Sequence, residues 1–282
     1  FFVRLIPGDP ARQVAGPQAT KEDVELLREQ LGLNKPLPQQ YISYVTGLVK
    51  GDLGTSLRTK RPVLTEVQGR YMNTVQLTLL SLTWSVIAGV LIGVWSGRNR
   101  SKWQDYTGMT VAVSGISMPS FWIGFMLIMV FAVKYRLLPT TGAGSFKNLI
   151  LPSITLGVSI AAIIARFTRS SVIEVLKEDY VRTARAKGLR EKTVIWKHVF
   201  RNCMISVVTV VGLQFGFLLG GSVVTETVFA FPGLGSLLIE SVNYRDYPAI
   251  QSLILIFSLH FVLINLVVDV LYAVLNPEIQ LS

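Results

Sequence analysis

The sequence is poor in side chains that carry chemistry. Its 282 residues include one cysteine, Cys203, and two histidines, His198 and His260. A single thiol excludes an internal disulfide and any cysteine-based zinc site within the chain. No carboxylates stand at ligand spacing beside the histidines. The phosphate-cradling pattern G-x-x-x-x-G-K-[ST] is also missing, since no glycine is followed directly by lysine, and ATP dependence would have to come from a partner. Gly142-x-Gly144 and Gly233-x-Gly235 lack the third glycine of a dinucleotide fingerprint and read as turns. Charge is scarce too. Only 16% of residues are charged, against about 25% in an ordinary soluble domain, which is too little to cover a water-soluble surface of this size.

Apolar residues fill the gap: half the chain is hydrophobic and the mean hydropathy is +0.48. No Asp, Glu, Lys or Arg occurs in 71–97, 106–133, 148–165 or 202–225, and 246–269 is charge-free between its end residues. Crossing a bilayer core of about 30 Å takes about 20 apolar residues at 1.5 Å each, and all five stretches are long enough. Lipid leaves backbone polar groups no water to bind, so spans of this kind must be helical. The fold class expected is all-α, a polytopic membrane helical bundle. The spans are placed at about 73–97, 106–133, 148–165, 203–225 and 249–269. Residues 1–6 read as the end of a further apolar helix whose start is missing, stopped by Pro7-Gly8-Asp9-Pro10. That makes six spans with the first truncated.

The net charge of +10 invites a nucleic-acid reading, but the excess sits in loops between spans. Residues 166–201 carry ten Lys/Arg against four acids, and 98–105 carry three against one. This is the positive-inside pattern, and it places both loops in the cytoplasm, where anionic lipid headgroups also attract them. Alternation of sides then puts 7–70 outside as an extracytoplasmic segment. There Thr20 caps a short helix ended by Gly32, and a second amphipathic piece covers 39–49 until Gly51 and Gly54 break it. The loop 134–147, with three Lys/Arg and no acids, falls outside by the same alternation, against the charge rule. Small residues recur every fourth position at Gly89, Gly93 and Gly97, at Gly157, Ala161 and Ala165, and at Gly212, Gly216 and Gly220. Such ridges let helices approach closely in lipid and suggest a tight, partly intersubunit bundle. Pro119 and Pro152 are positioned to kink their helices.

Residues 171–202 read as an elbow. Ser171 and Glu174 have capping-box spacing, so one amphipathic helix is expected over 171–186, with Val172, Leu176, Tyr180 and Ala184 on one face. Gly188 supplies the left-handed residue that ends it, and a second helical segment, 191–202, leads into the next span. An inert segment lying on the lipid surface would have the same composition.

Asp179-Tyr180-Val181-Arg182-Thr183-Ala184-Arg185-Ala186-Lys187-Gly188-Leu189 resembles the coupling segment of permeases of ABC importers, in particular the first permease of the dipeptide/oligopeptide branch. The superfamily pattern is Glu-Ala-Ala, three residues, Gly, nine residues, Ile-x-Leu-Pro. Arg182-Thr183-Ala184 stands at its Glu-Ala-Ala and His198-Val199-Phe200-Arg201 at its end, so only Ala184 and Gly188 match. The Arg-Thr-Ala form is that of the peptide branch. Leu5-Ile6-Pro7-Gly8-Asp9-Pro10, Gly51-Asp52-Leu53-Gly54-Thr55-Ser56, Ser114-Gly115-Ile116-Ser117-Met118-Pro119, Glu226-Thr227-Val228-Phe229 with Pro232-Gly233-Leu234-Gly235, Arg245-Asp246-Tyr247-Pro248 and residues 265–277 resemble further parts of that branch. Gly212-Leu213-Gln214-Phe215-Gly216-Phe217 is similar to its glutathione-transporting members.

The resemblance implies a type I ABC importer transmembrane fold, with the transmembrane domain over 71–273 and a cytoplasmic tail over 274–282, in a bacterial inner membrane. It implies a homologous second permease, two ATPase subunits that hold the ATP and Mg, and an extracytoplasmic peptide-binding protein. No cofactor belongs to the chain itself, and its role is translocation without catalysis. Carried onto this sequence, the ATPase-coupling residues are Glu178, Asp179, Tyr180, Arg182, Thr183, Ala184, Arg185, Lys187 and Gly188, with Tyr180 and Ala184 packing into the partner's cleft. Intramembrane polar groups face cavities or the bundle interior, which makes Ser114, Ser117 and Gln214 candidate pathway residues. The competing reading is an ion-coupled secondary transporter with His260 and Asp269 as a proton relay; a scaffold that moves no solute is a third. Dipeptides, longer peptides, glutathione and a nickel chelate all remain open as substrates.

Overall fold

The computed structural model describes residues 9–16 and 18–275. The expected end of a first span at 1–6 and the tail at 276–282 lie outside the described residues. Among the described residues the chain is helical, with one isolated bridge between Thr55 and Pro62. Three helices among the described residues are long and apolar enough to cross a membrane, or up to five spans if each of two bent pairs counts as one. The helices group into two compact units, and the chain passes between them within two of its long helices.

The first unit takes in residues up to Thr74 and Pro232–Leu259. It holds α1 (Pro10–Ala15), α2 (Lys21–Gln30), α3 (Leu37–Val49), the start of α4 (Val63–Arg98), α11 (Leu234–Asn243) and the start of α12 (Tyr247–Leu275). The expected cap is present: the Thr20 side chain accepts from the Asp23 amide, and Asp23 reaches back to the Thr20 amide. Helix α4 begins ten residues before the expected span. Glu66 and Arg70 do not stop it, because Val63 and Val67 pack with Leu234, Leu237, Ala249 and Leu253 in a buried cluster. The stretch read as an outer loop before the last span contains α11.

Two of the motifs meet in this unit. Asp52 accepts from the Gly54 amide at 2.8 Å in a local turn, and Gly54 has φ +83°. A side chain there would be strained, and its Cβ would lie 3.3 Å from Pro248. Ser56 donates to the buried carboxylate of Asp246, which also caps α12 by accepting from the Ala249 amide. Ser252 donates to the Leu53 carbonyl at 2.9 Å.

The second unit takes in Val75–Phe231 and the chain from His260 on. It holds the rest of α4, α5 (Trp103–Ser117), α6 (Ser120–Leu127, continued by a π-helical turn over Ile128–Lys134), α7 (Phe146–Val175), α8 (Asp179–Ala186), α9 (Glu191–Thr193, continued by a π-helical turn over Val194–Val199), α10 (Phe200–Val228) and the rest of α12. The span expected at 106–133 is broken: α5 and the α6 segment meet at 102°. Met118 precedes a proline, which disfavours the helical region, and it sits extended at φ −93°, ψ 131°. The second proline behaves otherwise, and α7 runs through Pro152 as one helix.

The glycine ridge of α4 faces α7. A Cβ on Gly93 would sit 2.5 Å from Thr168 Cβ and 2.6 Å from the Ala165 carbonyl; on Gly89 it would sit 2.7 Å from the Ala161 carbonyl. Polar ties cross the same interface: Ser85 donates to the Gly157 carbonyl at 2.8 Å and Trp84 to the Ser153 carbonyl at 2.9 Å. On α10, Gly212 abuts Val268 and Gly216 abuts Phe261 of α12. Gly89, Gly93, Gly97, Gly157, Gly212 and Gly216 therefore all make close contacts within the chain.

That packing corrects the expectation of one helix over 171–186. Helix α7 continues to Val175, with Ser171 in its interior and no cap there. Thr168 and Val172 extend the buried stripe of Ala161 and Ala165 onto α4. A cap contributes about 1 kcal/mol, whereas a close-packed side chain makes dozens of contacts of about 0.1–0.2 kcal/mol each. The helix breaks instead at Leu176 to Glu178, and α8 starts afresh.

Candidate functional site

Helix α8 is eight residues long and has two buried side chains, Val181 and Ala184. They sit three apart, on one face, in the same core as Val172, Val194, Ile195 and Val199. Every other residue from Lys177 to Arg190 is exposed. The apolar stripe Val172–Leu176–Tyr180–Ala184 expected from spacing is interrupted by the break before α8. Val181 takes the place that Tyr180 was expected to hold.

Each expected coupling residue can now be placed. Glu178 is the extended residue preceding α8. Asp179 and Arg182 are 94% and 77% exposed and form a loose 3.5 Å pair, a geometry worth little on a wet surface. Thr183 donates to the Asp179 carbonyl at 2.9 Å. Tyr180 is exposed, and its hydroxyl accepts from the Asn202 side chain. Ala184 is anchored inside its own chain, so the pair expected to enter a partner's cleft is split and only Tyr180 faces outward. Arg185 is engaged by a residue that sequence reasoning had not singled out. Its Nε and Nη2 donate to Glu191 at 3.2 and 2.8 Å, stapling α8 to the start of α9.

Gly188 closes the elbow at φ +74°. Its amide donates to the Arg185 carbonyl at 2.9 Å, and the Leu189 amide to the Ala184 carbonyl at 3.3 Å. These two bonds satisfy helix-end carbonyls in the Schellman pattern, which requires a left-handed residue where Gly188 stands. Lys187 caps the helix and is exposed.

The pathway candidates separate. Ser114 and Ser117 line one cavity of about 470 Å³ along α5, with Asp105, Tyr106, Met109, Thr110, Val113, Met118 and Arg169. Both hydroxyls donate to their own helix, to the Thr110 and Val113 carbonyls at 2.8 and 3.0 Å, leaving their acceptor lone pairs toward the groove. Gln214, half-buried on α10, is not among the lining residues. His260 lines a different, apolar cavity of about 330 Å³ with Leu82, Phe215 and Val268. The Asp269 side chain, the other half of the alternative relay, lies outside the described residues.

At one end of the α5 groove is a feature missed in the sequence. Arg169 grips Asp105 with both arms: Nε to Oδ1 at 2.6 Å and Nη2 to Oδ2 at 2.7 Å, while the Ser101 amide donates to Oδ2 at 3.1 Å. The Asp105 side chain is 4% exposed and that of Arg169 29%. The available signal was that Asp105 is the only acid among three basic residues in 98–105.

A helical bundle with apolar spans, one of them broken, and an exposed short helix on a glycine elbow is the architecture of a polytopic membrane protein. The family comparison agrees. Residues 89–281 match the binding-protein-dependent transport system inner membrane component, and residues 1–78 match the N-terminal model of such membrane components. The chain belongs to this family, the permease subunits of ABC importers, and is a multi-pass protein of the bacterial inner membrane.

Within the family, the chain is 56% identical over 280 residues to the glutathione transport system permease protein GsiC of Escherichia coli K12, spanning 99% of this chain and 92% of that protein. It is 54% identical to the GsiC of Salmonella choleraesuis over the same shares. Among solved structures it resembles the MetNI methionine ABC transporter in an inward-facing conformation, with TM-score 0.66, 17% identity, and coverage of 76% of this chain and 97% of that one. An amino acid ABC transporter structure matches with TM-score 0.58 and 16% identity, over 73% and 92% of the two chains. These likenesses establish the type I importer fold.

Proposed function

We propose that the chain is the non-catalytic translocation subunit of an importer for small peptides, glutathione among them, and that α8 is the part through which ATPase partners drive it. The observation carrying this reading is the construction of α8. Two buried side chains fix the helix to the bundle, while Glu178, Asp179, Tyr180, Arg182, Thr183 and Lys187 are presented outward. An inert segment on the lipid surface would turn its apolar face to lipid, whereas here Val181 and Ala184 turn into the chain's own core and the polar face is left outward.

The remaining parts follow from that role. Two ATPase subunits hold ATP and Mg, a homologous second permease completes the membrane pore, and an extracytoplasmic binding protein delivers the solute. Closure of the ATPases moves α8 with the cytoplasmic end of α7, and the groove along α5 with Ser114 and Ser117 changes its access. The peptide substrate class rests on the similarity to the glutathione permeases. The coupling role rests on the geometry of α8.

Reconstitution of the complete complex in vesicles tests both. ATP-driven uptake of labelled glutathione and a labelled dipeptide is expected. The double variant Asp179→Lys, Arg182→Glu is expected to lower uptake at least about tenfold, as for loss of charged contacts at an interface. Uptake by this chain alone, driven by a proton gradient without ATP, would overturn the proposal in favour of the His260–Asp269 reading. Full uptake by the double variant would remove α8 from the mechanism.

A further inference from the structure

Three features of α5 are independent of α8. The helix is 15 residues long, Trp103–Ser117. At one end it is separated from the next segment by the 102° break at Met118 and Pro119. At the other end its first turn carries Asp105, gripped by Arg169 of α7. Between those ends it packs closely on its neighbours through small residues: Gly108 lies against Ser96, Gly115 against Val158, and Ser159 donates to the Gly115 carbonyl at 3.3 Å. The two-armed Arg169–Asp105 bond is the charged tie at the Asp105 end, and a bidentate fork fixes orientation as well as distance.

Arg169 also belongs to the shaft that ends in the elbow. It lies six residues before the end of α7, about 9 Å at 1.5 Å per residue. Its neighbours Thr168 and Val172 are pressed against Gly93 and Gly97 of α4, so this stretch of α7 is closely packed on the end of α4. A buried carboxylate–guanidinium pair is a poor device for stability alone, since desolvation offsets much of the attraction. It is a good device for registering one helix against another.

We propose that the Asp105–Arg169 pair is the joint that passes movement from the α8 elbow to α5, swinging that helix about the Met118–Pro119 break and so opening or closing the groove lined by Thr110, Ser114 and Ser117. Asp105 and Arg169 are positioning residues in this scheme: they set the angle of α5 and make no bond to the transported solute. The inference rests on α8 being the ATPase-coupled element.

The test uses the assembled complex with its ATPases and binding protein, reading ATP hydrolysis and labelled glutathione uptake in the same vesicles. Asp105→Asn keeps the shape of the side chain and removes its charge. Glutathione moved per ATP is expected to fall about tenfold, the range of coupling changes made by residues between sites, while hydrolysis stays within about twofold of wild type. The exchanged pair, Asp105→Arg with Arg169→Asp, is expected to recover part of that ratio. Unchanged glutathione per ATP in Asp105→Asn overturns the proposal. So does a parallel fall of uptake and hydrolysis at constant ratio, which marks the pair as structural. If Asp105→Asn does not assemble, Arg169→Lys, which retains the charge and loses the fork, is read in the same way; failure of both to assemble also overturns it. Loss of coupling in the α8 double variant with full coupling in Asp105→Asn would sink this joint alone, and full coupling in both would sink the α8 reading with it.

Discussion

At Gly93 the helices α4 and α7 are so close that a single added methyl group has nowhere to go. The atoms it would meet are a backbone carbonyl and the Cβ of Thr168, neither of which is a flexible side-chain end. Gly93→Val is expected to lower stability by about 1–3 kcal/mol, read as a drop in melting temperature of the purified chain in detergent. Gly69, on the same helix but with nothing within 4 Å of its Cβ position, is the control: Gly69→Ala should be neutral or stabilising by about 0.5–1 kcal/mol. Glu240 shows the same residue-scale logic in charge. Burial pushes its carboxyl up, but hydrogen bonds from Arg70 and Arg58 outweigh that and hold it below the ordinary glutamate value. A depressed value means the folded state favours the ionised form. The stability it contributes is present above the unfolded value of about 4.3 and is lost as pH falls through the folded one. The melting-temperature gap between wild type and Glu240→Gln should therefore be open at pH 7 and close as pH falls through the folded value; a gap that stays constant into acid would show the carboxylate is not paired in solution.

On the scale of one element, α8 depends on two anchors. Val181 is fully buried, and a charge there cannot be accommodated without unseating the helix. Val181→Asp should leave the exposed face chemically unaltered yet release it from its fixed position, so that protease cleavage between Lys177 and Arg190 rises and ATP-driven uptake is lost. Intact protection with normal uptake would show that α8 does not need its seat. Gly188 was readable in advance because a left-handed residue at a helix end has a strong residue preference. The true start of α8 was not. Ser171 and Glu174 have the spacing of a cap, but whether a cap forms depends on what the helix before it packs against, and here the partner is the glycine ridge of α4, almost eighty residues earlier at Gly93 and Gly97. The break at Pro119 was only half readable: the restriction that proline places on the residue before it is local, yet α7 runs through Pro152, so proline by itself did not say which span would break.

For the whole molecule, the proposed orientation puts the α8 elbow and α2 on opposite sides of the membrane. Cys203 is buried, so the native thiol should react slowly. Single cysteines at Lys187 and Lys21 can then be labelled in intact cells and in inverted vesicles. Lys187→Cys should react with an impermeant reagent only in inverted vesicles, and Lys21→Cys only in intact cells; the reverse pattern would invert the topology. Sequence alone determined that the chain lives in a bilayer and about where its apolar stretches fall, because hydropathy and charge bias act over a few turns and are written locally. Tertiary structure decided what those parts touch. Tyr180 faces out while Val181 and Ala184 face in, Arg185 is held by Glu191, and Asp105 is held by Arg169 across 64 positions. None of these follows from spacing, since each depends on which surfaces the bundle brings together after the helices have formed.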